Sequence, residues 1–278
     1  MLGRKIYPLF EPESGGQVNA ELERRIQRLE AGDTDDGRAD YKSGKGFRAR
    51  ARHKSGGRSE FRGRGRGRSG ASRQQDRYRP LGRPEVLKVL QSQDMLPAIT
   101  FIFSRAGCDG ALYQCLRSRM VLTSQEEAQQ IKEIVDAGVE GIPEEDLQVL
   151  DFKRWREALS RGFAAHHAGM LPAFRHIVED LFVRGLVRAV FATETLALGI
   201  NMPARTVVLE KLIKFNGEAH VDLTPGQYTQ LTGRAGRRGI DTLGNAVVQW
   251  APAMDPRQVA GLASTRTYPL ISTFAPGC

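Results

Sequence analysis

Between Gln230 and Gly239 the chain reads QLTGRAGRRG, which sets Arg234 and Arg237 three positions apart among glycines. Glycine permits tight turns and close backbone approach to a ligand. Arginine supplies a permanent charge in a planar fork of donors that matches phosphate. On its own the combination reads either as a basic turn or as a device reaching into a nucleotide site from outside. Three further stretches could hold anions: Ser104-Arg105-Ala106-Gly107, His166-His167-Ala168-Gly169, and the run from Thr193 to Pro203 (TETLALGINMP). Each offers hydroxyls, amides or backbone N–H groups where a helix would start. Other chemistry is missing. ATP hydrolysis needs a phosphate-cradling G-x-x-x-x-G-K-[ST] loop and an acidic pair for Mg²⁺. The nearest approach, Ala39–Gly46 (ADYKSGKG), fails at both ends, and no Asp-Glu-x-Asp/His occurs.

The elements that must position these residues alternate from residue 84 onward. Ala98–Phe103 is a continuous apolar run after Pro97, as expected of a strand buried on both faces. Asp109–Arg119 reads as a helix, and residues 123–161 as a helical insertion anchored by Trp155 and Leu159. Phe163–Ala165 is a short strand. Pro172–Arg184 is a helix with Phe174, Ile177, Val178, Leu181 and Phe182 on one face, a spacing of i, i+3, i+4, i+7 and i+8. Pro172 suits its first turn and Gly185 its stop. Val187–Ala192, Thr206–Leu209 and Gly244–Trp250 are strands, and Thr224 caps a helix opening at Pro225. Strands separated by helices predict an α/β fold with a parallel sheet. Ligands then bind at the carboxyl ends of the strands, and all four stretches above are expected on that edge.

Of 278 residues, the net charge is +9, a bias toward anionic partners such as nucleic acid. It is concentrated in one place. Residues 40–80 hold 14 Lys and Arg against three Asp and Glu, a balance of +11, while the rest holds 27 against 29, or −2. Residues 31–80 are rich in Gly, Arg, Ser and Asp, too poor in aliphatic side chains to bury a core. They are expected to be disordered. Within them, Phe61–Ser69 (FRGRGRGRS) is an RG repeat beside an aromatic. Such a segment contacts single-stranded nucleic acid through charge and stacking, or serves only as a linker. Three cysteines, Cys108, Cys115 and Cys278, form no CxxC pair, which argues against a disulfide framework or zinc site and for reduced thiols. No signal-peptide pattern and no apolar run of about 18 residues is present. A cytoplasmic location without membrane contact is the expectation.

The order FIFSR, HHAG, ATETLALGINMP, QLTGRAGRRG resembles the second RecA-like domain of superfamily 2 helicases, and within them the Ski-like DExH-box RNA helicases of actinobacterial type. The resemblance implies a RecA-like parallel sheet with flanking helices over residues 84–255, with the insertion at 123–161. It further implies a tail of the first RecA-like domain over 1–30, a linker over 31–83, and the start of a winged-helix-side region over 256–278. By resemblance, Arg237 is the arginine finger that meets the γ-phosphate of ATP held on the other domain. Arg234 shares that charge, and Gln230 and Gly233 help close the nucleotide interface. Gly199 and Asn201 line the nucleotide side near the ribose. Ser104, Arg105, His167, Gly169, Thr193 and Thr195 are implied RNA contacts, with Arg175 as a further RNA-contacting or stabilising residue. The implied cofactors are ATP and Mg²⁺, with the Mg²⁺ ligands elsewhere. The implied partners are RNA, with DNA left open, and a first RecA-like domain. The chain then reads as a fragment of a longer helicase that is inactive by itself. The rival expectation is a non-catalytic RNA-binding protein.

Overall fold

The computed structural model describes residues 1–12, 16–31, 80–197, 202–252 and 254–265. The RG segment, Gly199, Asn201 and Cys278 lie outside the described residues. The chain divides into two compact units, one of Met1–Asn19 with the residues from Pro80 on, the other from Ala20 to Arg79. In the second, the described structure is helix α1 (Ala20–Glu30). Glu21 and Glu23 stand in its first turn and Arg28 in its last, the arrangement the helix dipole favours.

The first unit is built on five parallel strands: β1 (Ala98–Phe101), β2 (Phe163–His166), β3 (Ala189–Ala192), β4 (Thr206–Leu209) and β7 (Asn245–Val248), in the order β2-β3-β1-β4-β7. Every pairing is parallel, with Ala98 opposite both Ala189 and Thr206. β1 to β4 are buried at every position, as a sheet covered by helices on both faces requires. The alternation of side chains sorts them into two cores. Ile99, Phe101, Ala164, Val190, Val207 and Leu209 join one face, while Ala98, Phe163, Ala165, Ala189, Phe191 and Val208 join the other.

Helices α2 (Arg83–Ser92) and α3 (Arg105–Arg117) supply Leu87, Leu90, Cys108, Ala111 and Cys115 to the second face. Burial pushes both of these thiols up to about 12, so they behave as small apolar groups. The first face is covered by α4 (Gln125–Gly138), α6 (Phe152–Ser160), α7 (Pro172–Val183), α8 (Pro225–Thr232) and α9 (Pro256–Ser264), with the short α5 (Glu144–Val149) between α4 and α6. Helix α7 buries Phe174, Ile177, Val178, Leu181 and Phe182 as its periodicity predicts. Trp155 and Leu159 of α6 are buried, and the Trp155 ring stacks on Phe174 at 4.1 Å. A hairpin of β5 (Ile213–Phe215) and β6 (His220–Asp222) follows β4, in a stretch where sequence patterning predicts no strand. Among the described residues no helix is long and apolar enough to cross a membrane.

Candidate functional site

Because the sheet is parallel, the loops leaving β1, β2 and β3 emerge on one edge. Ser104, just past β1, caps α3 by accepting a hydrogen bond from Gly107 N at 2.8 Å, and both Ser104 and Arg105 are exposed. Past β2, the Gly169 amide donates to His167 Nδ1 at 3.2 Å. That fixes the His167 proton on Nε2, which donates to Asp109 Oδ1 at 3.1 Å. Gly169 lies against Arg105: a Cβ built on it would stand 3.2 Å from Arg105 Cδ. Past β3, the hydroxyls of Thr193 and Thr195 meet at 2.9 Å, and Thr193 N donates to His166 O at 3.3 Å. Ser104, Arg105, His167, Gly169, Thr193 and Thr195 therefore share the carboxyl edge, with the β3 loop between the other two. A cavity of about 520 Å³ opens beside them, lined in part by Asp109, Tyr113, Arg154, His167 and Gly169. Tyr113 is 45% exposed and has the guanidinium groups of Arg117 and Arg154 each 5.5 Å from its ring centre. One aromatic in a helix carries no periodic signal, so the sequence alone does not single out Tyr113. Arg175 sits in the first turn of α7, half-buried, its Nε without a partner among the described residues.

The arginine run is not on that edge. Helix α8, capped by the Thr224 hydroxyl, carries the chain back along the sheet, and the run occupies the return from α8 to β7. Loops from a helix into a parallel strand lie at the amino edge, opposite those from strand into helix. The contacts agree. Ala204, two residues before β4, donates to Arg234 O at 2.9 Å and accepts from Gly236 N at 2.7 Å, pinning the run beside the start of β4. The expectation of four ligand stretches on one edge is thus corrected: Ser104–Gly107, His166–Gly169 and the opening of the third stretch at Thr193 and Thr195 lie on the carboxyl edge, and the arginine run lies on the amino edge. The two are separated by a strand of four residues, roughly 10 Å or more.

At the amino edge Gln230 is exposed near the end of α8, Gly233 is its C-cap, and Arg234 and Arg237 are half-buried. Gly236 and Gly239 have φ of 92° and 77°, values that side chains rarely adopt. Arg237 binds Asp241 through its backbone N at 3.0 Å, Nε at 2.8 Å and Nη2 at 2.8 Å. Arg205 reaches the same carboxylate, Nε to Oδ1 at 3.0 Å, and its Nη1 also binds Asp94 O at 2.6 Å. The hydrogen bonds from Arg237, joined by those from Arg205, hold the Asp241 carboxyl well below the usual carboxylate range. Asp241 in turn raises both guanidiniums. The sequence does not single out Arg205 or Asp241; the four-residue spacing from Arg237 marks Asp241, while Arg205, 36 residues from Asp241, has no such signal.

Residues 144–239 match the helicase conserved C-terminal domain. Over 282 aligned residues the chain is 56% identical to the probable helicase HelY of Mycobacterium tuberculosis, covering 99% of this chain and 28% of that protein. It is 36% identical over 165 residues to the antiviral helicase SKI2 of Saccharomyces cerevisiae, covering 59% of this chain and 13% of that protein. Against the DExH-box ATP-dependent RNA helicase DExH10 of Arabidopsis thaliana it is 35% identical over 190 residues, covering 68% and 19%. The chain spans well under a third of the length of these relatives. On the motifs, the sheet and these likenesses together, the chain belongs to the Ski-like DExH-box helicases, and what it carries of them is the helicase C-terminal domain.

Proposed function

We propose that this chain is the second motor domain of an ATP-dependent RNA helicase. ATP, with its Mg²⁺ and phosphate loop supplied by a first RecA-like domain, meets this domain at the amino edge. Arg237 reaches the γ-phosphate, with Arg234 beside it and Gln230 and Gly233 completing the wall. RNA runs along the carboxyl edge, held at its backbone by Ser104, Arg105, His167, Gly169, Thr193 and Thr195. Domain closure on ATP and reopening after hydrolysis then step the strand along. The names of relatives such as the Arabidopsis RNA helicases favour RNA over DNA.

The observation that carries this reading is the division of the ligand-binding groups between two edges of one sheet. A paired-arginine loop stands on one and a run of hydroxyls, an arginine and backbone N–H groups on the other. The arginine loop also exposes Ile240 (68%) and Leu243 (70%), which suits a loop that docks on another domain.

The test uses the full-length helicase that carries this chain. Arg237→Ala should lower ATP turnover by at least about 10²-fold, since such fingers are worth roughly 10³–10⁵ in rate, and leave RNA affinity near wild type. Lysine should rescue poorly, lacking the planar fork. Arg238, exposed and adjacent, is the control and should cost much less. Equal losses at Arg237 and Arg238, or an Arg237→Ala effect confined to RNA affinity, would overturn the placement. The chain by itself has neither a G-x-x-x-x-G-K-[ST] loop nor an Asp-Glu-x-Asp/His motif. By itself it should release no phosphate from ATP, with or without RNA.

A further inference from the structure

Asp241 does more in this fold than neutralise a neighbour. Its side chain is 1% exposed, while that of Arg237 keeps 23%. A carboxylate has about four acceptor positions, and here all are taken. Oδ2 accepts from Arg237 N and Nε, and Oδ1 accepts from Arg237 Nη2 and Arg205 Nε. Arg205 is itself fixed on its far side by Asp94, through the backbone oxygen and Oδ2. The carboxylate is therefore held from behind before it holds Arg237.

The geometry on Arg237 is one-sided. A guanidinium has five N–H donors in a rigid fork. Asp241 takes the edge formed by Nε and Nη2, and Nη1 makes no hydrogen bond with the described residues. What remains is the blunt end of the fork, two protons on Nη1 and one on Nη2, which is the part that can meet two phosphate oxygens together. The backbone bond from Arg237 N to the same carboxylate ties the turn as well as the side chain. Gly236, at φ 92°, lets the chain enter that turn.

We propose that Asp241 is the positioning residue for Arg237, clamping one edge of the guanidinium so that the other is presented to the transferring phosphoryl group, with Arg205 as the brace that holds Asp241. A long flexible side chain otherwise loses rotamer freedom when it meets the phosphate; here that loss is incurred on folding. Turnover therefore depends on Asp241 without Asp241 touching ATP. The inference rests on Arg237 being the finger.

The experiment is a double-mutant cycle in the full-length helicase, with Asp241→Asn, Arg237→Ala and the double variant. Asn keeps the shape and one acceptor oxygen but cannot accept from both ends of the fork. Asp241→Asn should lower kcat by about 10- to 100-fold, the cost of a misplacement on the order of 1 Å. KM for ATP and RNA affinity should stay near wild type. Binding of ADP with aluminium fluoride, which mimics the transferring group, should weaken while binding of ADP does not. In the Arg237→Ala background Asp241→Asn should cost nothing further. In the present chain, the Arg237 Nε–H should exchange slowly with solvent by NMR, and fast in Asp241→Asn. Should Asp241→Asn lower the unfolding temperature enough to prevent assay, Asp241→Glu, which keeps the charge but moves it by one methylene, is read in the same cycle. A full Asp241 loss in the Arg237→Ala background, unchanged kcat in Asp241→Asn, or an Arg237 Nε–H that exchanges as fast as that of Arg238 would each overturn the proposal. A silent Arg237→Ala would instead remove the finger reading on which it rests.

Discussion

Gly244 has room for a hydrogen and nothing larger. A Cβ built there would lie 2.5 Å from the carbonyl carbon and oxygen of Ala235 and 2.6 Å from Gly236 N. All three are backbone atoms of the arginine run, so the strain cannot be relieved by rotating a side chain. Gly244→Ala should destabilise by about 1–3 kcal/mol, the usual range for overpacking, and should lower ATP turnover more than RNA binding, because the displaced backbone is the one that carries Arg237. Thermal unfolding read beside both activities checks this; an Ala variant with wild-type turnover would show that the loop yields. His166 makes a second residue-scale case. It is 2% exposed, with Nε2 at 2.8 Å from Glu179 Oε1 and Nδ1 without a partner among the described residues. Burial holds its pKa below 6.5 despite Glu179. The unfolded chain then binds this proton first as pH falls below 6.5. With more protons on the unfolded state, stability declines with falling pH through that window and is retained above it. Urea midpoints at pH 7.5 and 5 should therefore lie further apart in the wild type than in His166→Gln, and parallel shifts in the two proteins would refute the assignment to His166.

Among the elements, α6 buries Trp155 beside Ala158 and Leu159. Trp155 is 6% exposed, stacks on Phe174 at 14° to its plane, and meets Phe152 at 5.9 Å. Trp155→Ala should cost about 3–5 kcal/mol. Trp155→Phe should cost much less, because the indole Nε1 has no acceptor among the described residues and its removal leaves nothing unsatisfied. Calorimetric unfolding separates the two, and equal losses would mean that a phenyl ring cannot replace the packing of the whole indole. The elements differ in how plainly they could be read from residue order. Strands β1, β3 and β4 and helix α7 were legible because full burial on two faces, or one apolar stripe behind a proline, leaves a composition that few alternatives share. Helix α2 and the hairpin β5–β6 were not. The hairpin strands are three residues long with only their middle residue shielded, and their pairing depends on the turn at Asn216, whose Oδ1 accepts from Glu218 N and Ala219 N. The arginine run is recognisable by type and spacing, but its edge follows from the helix before it and the strand after it rather than from the motif, and the motif alone suggests the wrong edge. Asp241 was overlooked for a related reason. One acid beyond two arginines looks like a solvated pair until burial to 1% is seen.

At the scale of the molecule, charge and architecture separate. Residues 40–80 hold +11 and the remainder −2, so most RNA affinity of the present chain should reside in that segment. Neutralising phosphates releases counterions, and log K should fall with log salt at a slope of about −0.7 per contact on single strands. Deleting residues 40–80 should weaken poly-U binding and flatten the slope without changing the unfolding temperature of the sheet. An unchanged slope would leave the segment a linker. The order β2-β3-β1-β4-β7 also has a temporal side. β1 is the first of these strands to be synthesised and lies at the centre, yet its two neighbours begin at Ala189 and Thr206. Until Ala192 has left the ribosome, β1 and β2 have no strand to pair with, and Ala98–Phe101 waits as an apolar segment with open edges. Contacts this distant in sequence make folding slow and leave intermediates prone to association. β3, inserted between strands made before it, is the piece whose arrival converts a collapsed chain into a sheet.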